Sequence, residues 1–163
     1  MAPAKQDQEI VVQITKNFSS IDACLSRVKK LVETVCNRFN PCGSRGTVVS
    51  IAIVDDARIR KLNSRFLNRK STTDCLSFDL SDSKGPKSPK LFELIVNGEM
   101  AVRQANMRGH SSEAELALYI THGLLHNFGF DDSTESQARK MHDTEDKILQ
   151  QLGYGLVYNT NSR

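Results

Sequence analysis

The stretch HGLLHNFGFDD, residues 122 to 132, sets two histidines four apart, follows them with a glycine and ends on two aspartates. Positions four apart on a helix share a face, so His122 and His126 would present two imidazoles to one point. Gly129 can adopt the positive φ that closes a helix in a left-handed cap, which turns the chain and returns Asp131 or Asp132 toward that point. Three protein ligands with a fourth position left for water is the arrangement of a catalytic zinc rather than a closed structural one. The plainer reading is two core histidines bonded to backbone, with GF ending one helix and DD capping the next.

Peptidases of the HExxH type place a glutamate after the first histidine to take a proton from the metal-bound water. Gly123 stands there, so a protease would need Glu99 or Asp131 instead. A two-histidine, one-carboxylate iron oxygenase is a further option, but no strand-borne HxD accompanies the pair. GxSxG, Walker A and GxGxxG patterns are missing, which leaves serine hydrolase, P-loop and dinucleotide chemistry without support. Asn17-Phe18-Ser19 matches a glycosylation acceptor but carries no weight in an intracellular chain. Cys24, Cys36, Cys42 and Cys75 show no CxxC spacing and are expected as free thiols, with Cys36 and Cys42 a remote zinc alternative.

The net charge of +3 is small, but its distribution is uneven. Arg58, Arg60, Lys61, Arg65, Arg69 and Lys70 come without an intervening acid and are followed by Lys84, Lys87 and Lys90, whereas residues 131 to 146 are acidic. A basic flank facing a metal site suits a polyanionic substrate; a solvated helix face is the competing account.

Several elements must position these residues. EIVVQIT (9 to 15), TVVSIAIV (47 to 54), TDCLSFDL (73 to 80) and LFELIVNGEMAVR (91 to 103) read as strands, with Gly98 marking a bulge or bend. Residues 21 to 39 have helical apolar spacing, and DDARIRKLNSRFL opens on two acids and keeps Ile59, Leu62 and Phe66 on one stripe. Ser112 with Glu115 predicts a capping box for a helix reaching about Asn127, and Thr134 with Gln137 one for a last helix ending near Gly153. Residues 81 to 90 form a Ser, Gly, Pro and Lys loop, and the tail GLVYNTNSR is expected to lack order. The expected fold class is α+β: a mixed four-stranded sheet with packed helices and the metal site on a central helix and its following turn.

A chain of 163 residues, 39% hydrophobic and 25% charged, predicts one domain over 1 to 163 with a core from about 9 to 154. No apolar run reaches membrane-helix length and the N-terminus shows no targeting pattern, so a cytoplasmic protein without membrane contact is expected.

The residues also resemble a known family. HGLLHNFGFDD is similar to the motif HGxLHLxGYDH of the YbeY family of bacterial metal-dependent endoribonucleases. Leu62-Asn63, Thr73 to Phe78, Gly98-Glu99 where the family has GD, Gln104-Ala105, His110-Ser111 and the terminal pattern Met141, Glu145, Ile148, Leu149 with LGY match as well. The likeness runs from about residue 10 to 154. It implies a single-strand endoribonuclease acting in ribosomal RNA maturation and ribosome quality control, with RNA and the ribosome as partners and the oligomeric state open.

Two departures stand out. Asp132 occupies the place of the family's third histidine, while Asp131 takes the family's Asp position. A carboxylate can ligate Zn2+, but the added negative charge makes bound water less acidic and lets Mn or Fe compete. The family's arginine in LNxxYRG falls at Leu67, leaving Arg65 and Arg69 on either side, with Arg69 preferred as the phosphate clamp. The resemblance thus implies one ion held by His122, His126 and Asp132, a phosphate held by Arg69 or Arg65, and Asp131 orienting a ligand. His110 is either a nearby acid or only the start of the Ser112 helix, and His142 is expected at the surface. The alternatives are a zincin-like metalloprotease and a non-catalytic ribosome-associated protein whose metal only staples the turn at Gly129.

Overall fold

Alternating side chains on the strands decide which helix covers which face. A computed structural model describes residues 9–40, 46–82, 85, 88–155, 157 and 158. Strands β1 (Ile10–Lys16), β2 (Thr47–Val54), β3 (Cys75–Asp79) and β4 (Lys90–Asn97) form one sheet in the order β1-β2-β4-β3. β1 and β4 run parallel to β2, and β3 pairs antiparallel with β4 at one edge. The mixed four-stranded sheet is therefore as expected, and the fold is α+β.

Val49, Ile51 and Ile53 of β2, with Phe92, Leu94 and Val96 of β4, point to one face. That face carries α1 (Leu25–Phe39), α4 (Ser112–Asn127) and α5 (Glu135–Gln151), whose apolar stripes complete the main core. Val54, Leu76 and Ile95 point the other way and meet Ile59 and Leu62 of α2 (Asp56–Leu67) in a smaller cluster. The inner strands are thus buried along the main face and, on the other, only near their C-terminal ends, where α2 packs. α4 is buried on nearly all sides from Ala114 to Leu125, which makes it the central helix of the larger layer.

Three local expectations change. Residues 91 to 103 are not one strand: β4 ends at Asn97, whose side chain accepts the Met100 N–H at 2.9 Å and caps α3 (Gly98–Arg108). Gly98 is a helix start rather than a bulge. A Cβ there would lie 2.8 Å from Ile53 Cγ2, so the close approach selects glycine, and glycine in a strand-like run masks the cap. The cap of α4 is Ser111, not Ser112; its hydroxyl accepts the Ala114 N–H at 3.1 Å, and Glu115 turns into the core. The Thr134–Gln137 capping box forms as expected. The tail contributes to the core: Val157 is fully buried, Tyr158 stacks on His142, and residues 156 and 159 to 163 lie outside the described residues.

Candidate metal centre

α4 ends in a Schellman turn that builds half of the site. The Gly129 N–H reaches the His126 carbonyl at 3.0 Å and the Phe130 N–H reaches that of Leu125 at 2.9 Å, with Gly129 at φ +95°. The Phe130 carbonyl in turn accepts a hydrogen bond from His126 Nδ1 at 3.1 Å. One turn back, His122 Nδ1 donates to Glu145 Oε1 on α5 at 2.6 Å. Both rings are thereby held with the proton on Nδ1 and a bare lone pair on Nε2.

These two Nε2 atoms face each other at 3.1 Å. Two lone pairs at that distance repel unless a cation lies between them. Asp132 Oδ2 completes a triangle, 3.6 Å from His122 Nε2 and 3.7 Å from His126 Nε2. A circle through the three atoms has a radius of about 2.0 Å, so His122, His126 and Asp132 offer three donor atoms at about a zinc–ligand distance from one common point and would hold a single ion. The donor set therefore fits a metal such as zinc.

Asp131, adjacent to this triangle, uses its carboxylate on the turn. Oδ1 accepts the N–H groups of Asp132 and Ser133 at 2.8 and 3.2 Å, and Oδ2 the Ser133 hydroxyl at 2.8 Å. The Ser133 hydroxyl and the backbone bonds hold its pKa below the usual carboxylate range. Asp131 thus orders the segment that carries Asp132.

Glu145 did not figure among the expected site residues, yet it is fully buried and bridges two imidazoles. Its second oxygen accepts from His142 Nδ1 at 2.9 Å, and the His142 ring stacks on Tyr158 with centroids 3.5 Å apart. His142 is therefore not a surface residue; its side chain is 18% exposed. The signal was present in the spacing, since Met141, Glu145, Ile148 and Leu149 form one helical stripe and a carboxylate within an apolar stripe must have partners. Burial works against a proton on His122, but the bond to Glu145 and the charges of Glu145, Asp74 and Asp132 outweigh it and raise the histidine's pKa. The carboxylates around His122 thus favour positive charge there.

Other expected residues fall elsewhere. His110 Nε2 bonds to the buried Glu115, which also takes Arg108 Nη1 at 3.2 Å, so His110 ties α3 to α4. Glu99 shares a hydrogen bond with Asp56 that raises its pKa, and Arg103 holds Asp56 well below the carboxylate range. Asp56 also accepts from Asn97 Nδ2 at 2.6 Å, so this cluster pins α2 to α3. Among the described residues, no hydrogen bond or ion pair links Arg65 or Arg69 to the triangle. Arg65 rests 5.6 Å from the Phe66 ring on α2, across the sheet from α4, and Arg69 lies on the connection to β3. The α2 cations Arg58, Arg60, Lys61 and Arg65 therefore lie on the sheet face opposite the metal triangle, whereas Arg69 and Lys70 lie on the connection to β3; Lys84 and Lys87 lie outside the described residues. The same holds for Cys42, while Cys36 is a buried thiol whose pKa burial pushes up to about 12.

Gly123 has a packing cause. A Cβ there would meet Cys75 Sγ at 2.8 Å and Leu94 Cδ2 at 3.0 Å, where α4 crosses the sheet. A peptidase glutamate at this position would have to enter the sheet, which removes the HExxH reading.

The chain is similar over residues 11–153 to the family model described as Endoribonuclease YbeY. A curated relative of that name from Carboxydothermus hydrogenoformans is 35% identical over 143 residues, covering 88% of this chain and 98% of the relative. Another, from a Chelativorans species, is 39% identical over 146 residues, 88% of each chain. A Thermotoga maritima protein solved in solution shares the fold with a TM-score of 0.59 at 21% identity, covering 87% of this chain and 89% of that one. The match over residues 11–153 and the relatives 35 and 39% identical along most of their length show one family: the chain belongs to the endoribonuclease YbeY family.

Proposed function

We infer that the chain is a metal-dependent endoribonuclease whose ion is held by His122, His126 and Asp132, with zinc the favoured metal and manganese or iron the alternatives. The observation that carries this reading is the pair of Nε2 lone pairs set 3.1 Å apart with a carboxylate oxygen within 3.7 Å of both. When bound, such an ion neutralises phosphate oxygens and makes water a usable nucleophile near neutral pH.

The chain's own residues do the rest. Glu145 and the Phe130 carbonyl keep both imidazoles in the ligating tautomer, so no ring has to turn over when a ligand arrives. Asp131 fixes the turn that presents Asp132. Arg69 is assigned to the scissile phosphate, because it lies on the segment leading to Asp74, whose charge is felt at His122. Arg65 stands further along the same path, on the solvent side of α2. Ribosomal RNA is the proposed substrate, the ribosome the proposed partner and the cytoplasm the proposed setting, supported by the family resemblance along the chain. A single catalytic domain spanning about 9 to 154 accords with the single sheet. No helix among the described residues is long and apolar enough to cross a membrane.

The test is metal analysis of the purified chain beside His122→Ala and Asp132→Ala, with cleavage of single-stranded RNA measured with and without chelator. About one equivalent of metal in the parent, loss in His122→Ala and chelator-sensitive cleavage are expected. Full metal content in Asp132→Ala removes that residue from the ligand set. Cleavage indifferent to chelator and to both substitutions ends the metalloenzyme reading.

A further inference from the structure

The six cations Arg58, Arg60, Lys61, Arg65, Arg69 and Lys70 are all exposed, and among the described residues none enters an ion pair. Arg58, Lys61 and Arg65 follow one another at three- and four-residue spacing on α2, so they share a face and repel each other. A helix face meant only for solubility would mix signs, as Glu135 and Arg139 do on α5. Here the only acids, Asp55 and Asp56, sit at the helix N-terminus, where Asp55 caps and Asp56 is bound by Arg103.

The cations also line a shape. Arg60, Lys61, Arg65 and Lys70, together with Ala57 and Ser64, line an open surface groove. The small side chains of Ala57 and Ser64 leave room for a strand's backbone among long cationic side chains that can reach its phosphates. The groove is not the metal centre, because Ile59 and Leu62 seat α2 on the sheet face opposite α4. The two are joined by residues 68 to 74, which carry Arg69 and Lys70 from the end of α2 to Asp74 at the start of the edge strand β3.

We propose that the α2 groove is an exosite for the sugar-phosphate backbone of RNA, holding a strand segment that flanks the one at the metal centre. The proposal rests on the reading that the metal centre cleaves RNA and adds where the rest of the substrate lies. It makes part of the affinity independent of the metal and strongly dependent on salt.

The test uses the full chain and a fluorescently labelled, unstructured single-stranded RNA, with affinity measured by anisotropy across a KCl series. Four exposed cations are neutralised together, Arg58→Gln, Arg60→Gln, Lys61→Gln and Lys70→Gln, with Arg65 and Arg69 kept. Each lost phosphate contact lowers the slope of log K against log salt by about 0.7, so the slope should fall by about 2 to 3 and low-salt affinity by 10-fold or more. A control with equal charge loss, Lys16→Gln, Lys29→Gln, Lys30→Gln and Lys147→Gln, should change the slope by less than about one unit. His126→Ala should keep the parent's slope while losing cleavage. An unchanged slope in the groove variant, or an equal fall in the control, overturns the exosite and leaves the cleavage reading standing. Cleavage retained in His126→Ala sinks the cleavage reading without touching the slope. Displacement of RNA from the groove by phosphatidylserine vesicles or polyglutamate at matched charge, as effectively as by unlabelled RNA, also overturns it.

Discussion

Replacing Glu145 by glutamine tests how the metal triangle is held. The carboxylate only accepts, and it receives two N–H groups, from His122 at 2.6 Å and from His142 at 2.9 Å. Glutamine offers one acceptor and one donor on the same frame, so one of the two imidazoles must turn its tautomer over. If the carbonyl end stays with His122, the ligating lone pair survives but loses the negative charge that strengthens it. If the amide end takes that place, the His122 proton moves to Nε2 and the ligand is gone. Either way metal affinity should fall about 10- to 100-fold, equivalent to about 1.4 to 2.7 kcal/mol. Competition with a chromophoric zinc chelator near neutral pH reads this directly, and thermal melts in chelator check that the metal-free fold persists. Glu145→Ala should lose more, since it leaves two donors without their acceptor in a fully buried place. A folded Glu145→Gln protein that binds zinc within about twofold of the parent would refute the claim that this carboxylate sets the tautomer of His122.

Gly123→Ala should gain about 1 kcal/mol of helix propensity but lose about 1 to 3 kcal/mol to overpacking against Cys75 and Leu94, giving net destabilisation in urea titration that Cys75→Ala relieves. A variant more stable than the parent would disprove the close approach of α4 to the sheet. At Gly129, held at φ +95°, alanine should cost about 1 to 2 kcal/mol and also weaken zinc binding, because the turn carries Asp132; unaltered binding would detach the turn from the site. Asp56 is held by Arg103 below its unfolded pKa, so its contribution is fully present above about pH 4 and fades as pH falls toward the folded value. Asp56→Asn should therefore be less stable than the parent by about 1 to 2 kcal/mol near neutrality, with the gap closing in acid; a gap constant with pH would deny the ion pair its role.

Local periodicity made much of this legible. Two histidines at helical spacing share a face whatever surrounds them, and a glycine two residues past a helix end turns the chain whatever it packs against. The order of strands and helices followed from apolar pattern for the same reason, except where Gly98 hid the Asn97 cap and a strand was extended over α3. Partners brought from far along the chain were not legible. Glu145 reaches His122 across 23 residues because α5 packs beside α4, and only that packing turns a carboxylate on an apolar stripe into the group that orients a ligand. The side of the sheet taken by α2 was likewise undetermined, since its apolar stripe records that it packs and not against which face. Strand parity at Val54, Leu76 and Ile95 decided it, and so put the α2 cations Arg58, Arg60, Lys61 and Arg65 on the side of the sheet opposite the metal centre.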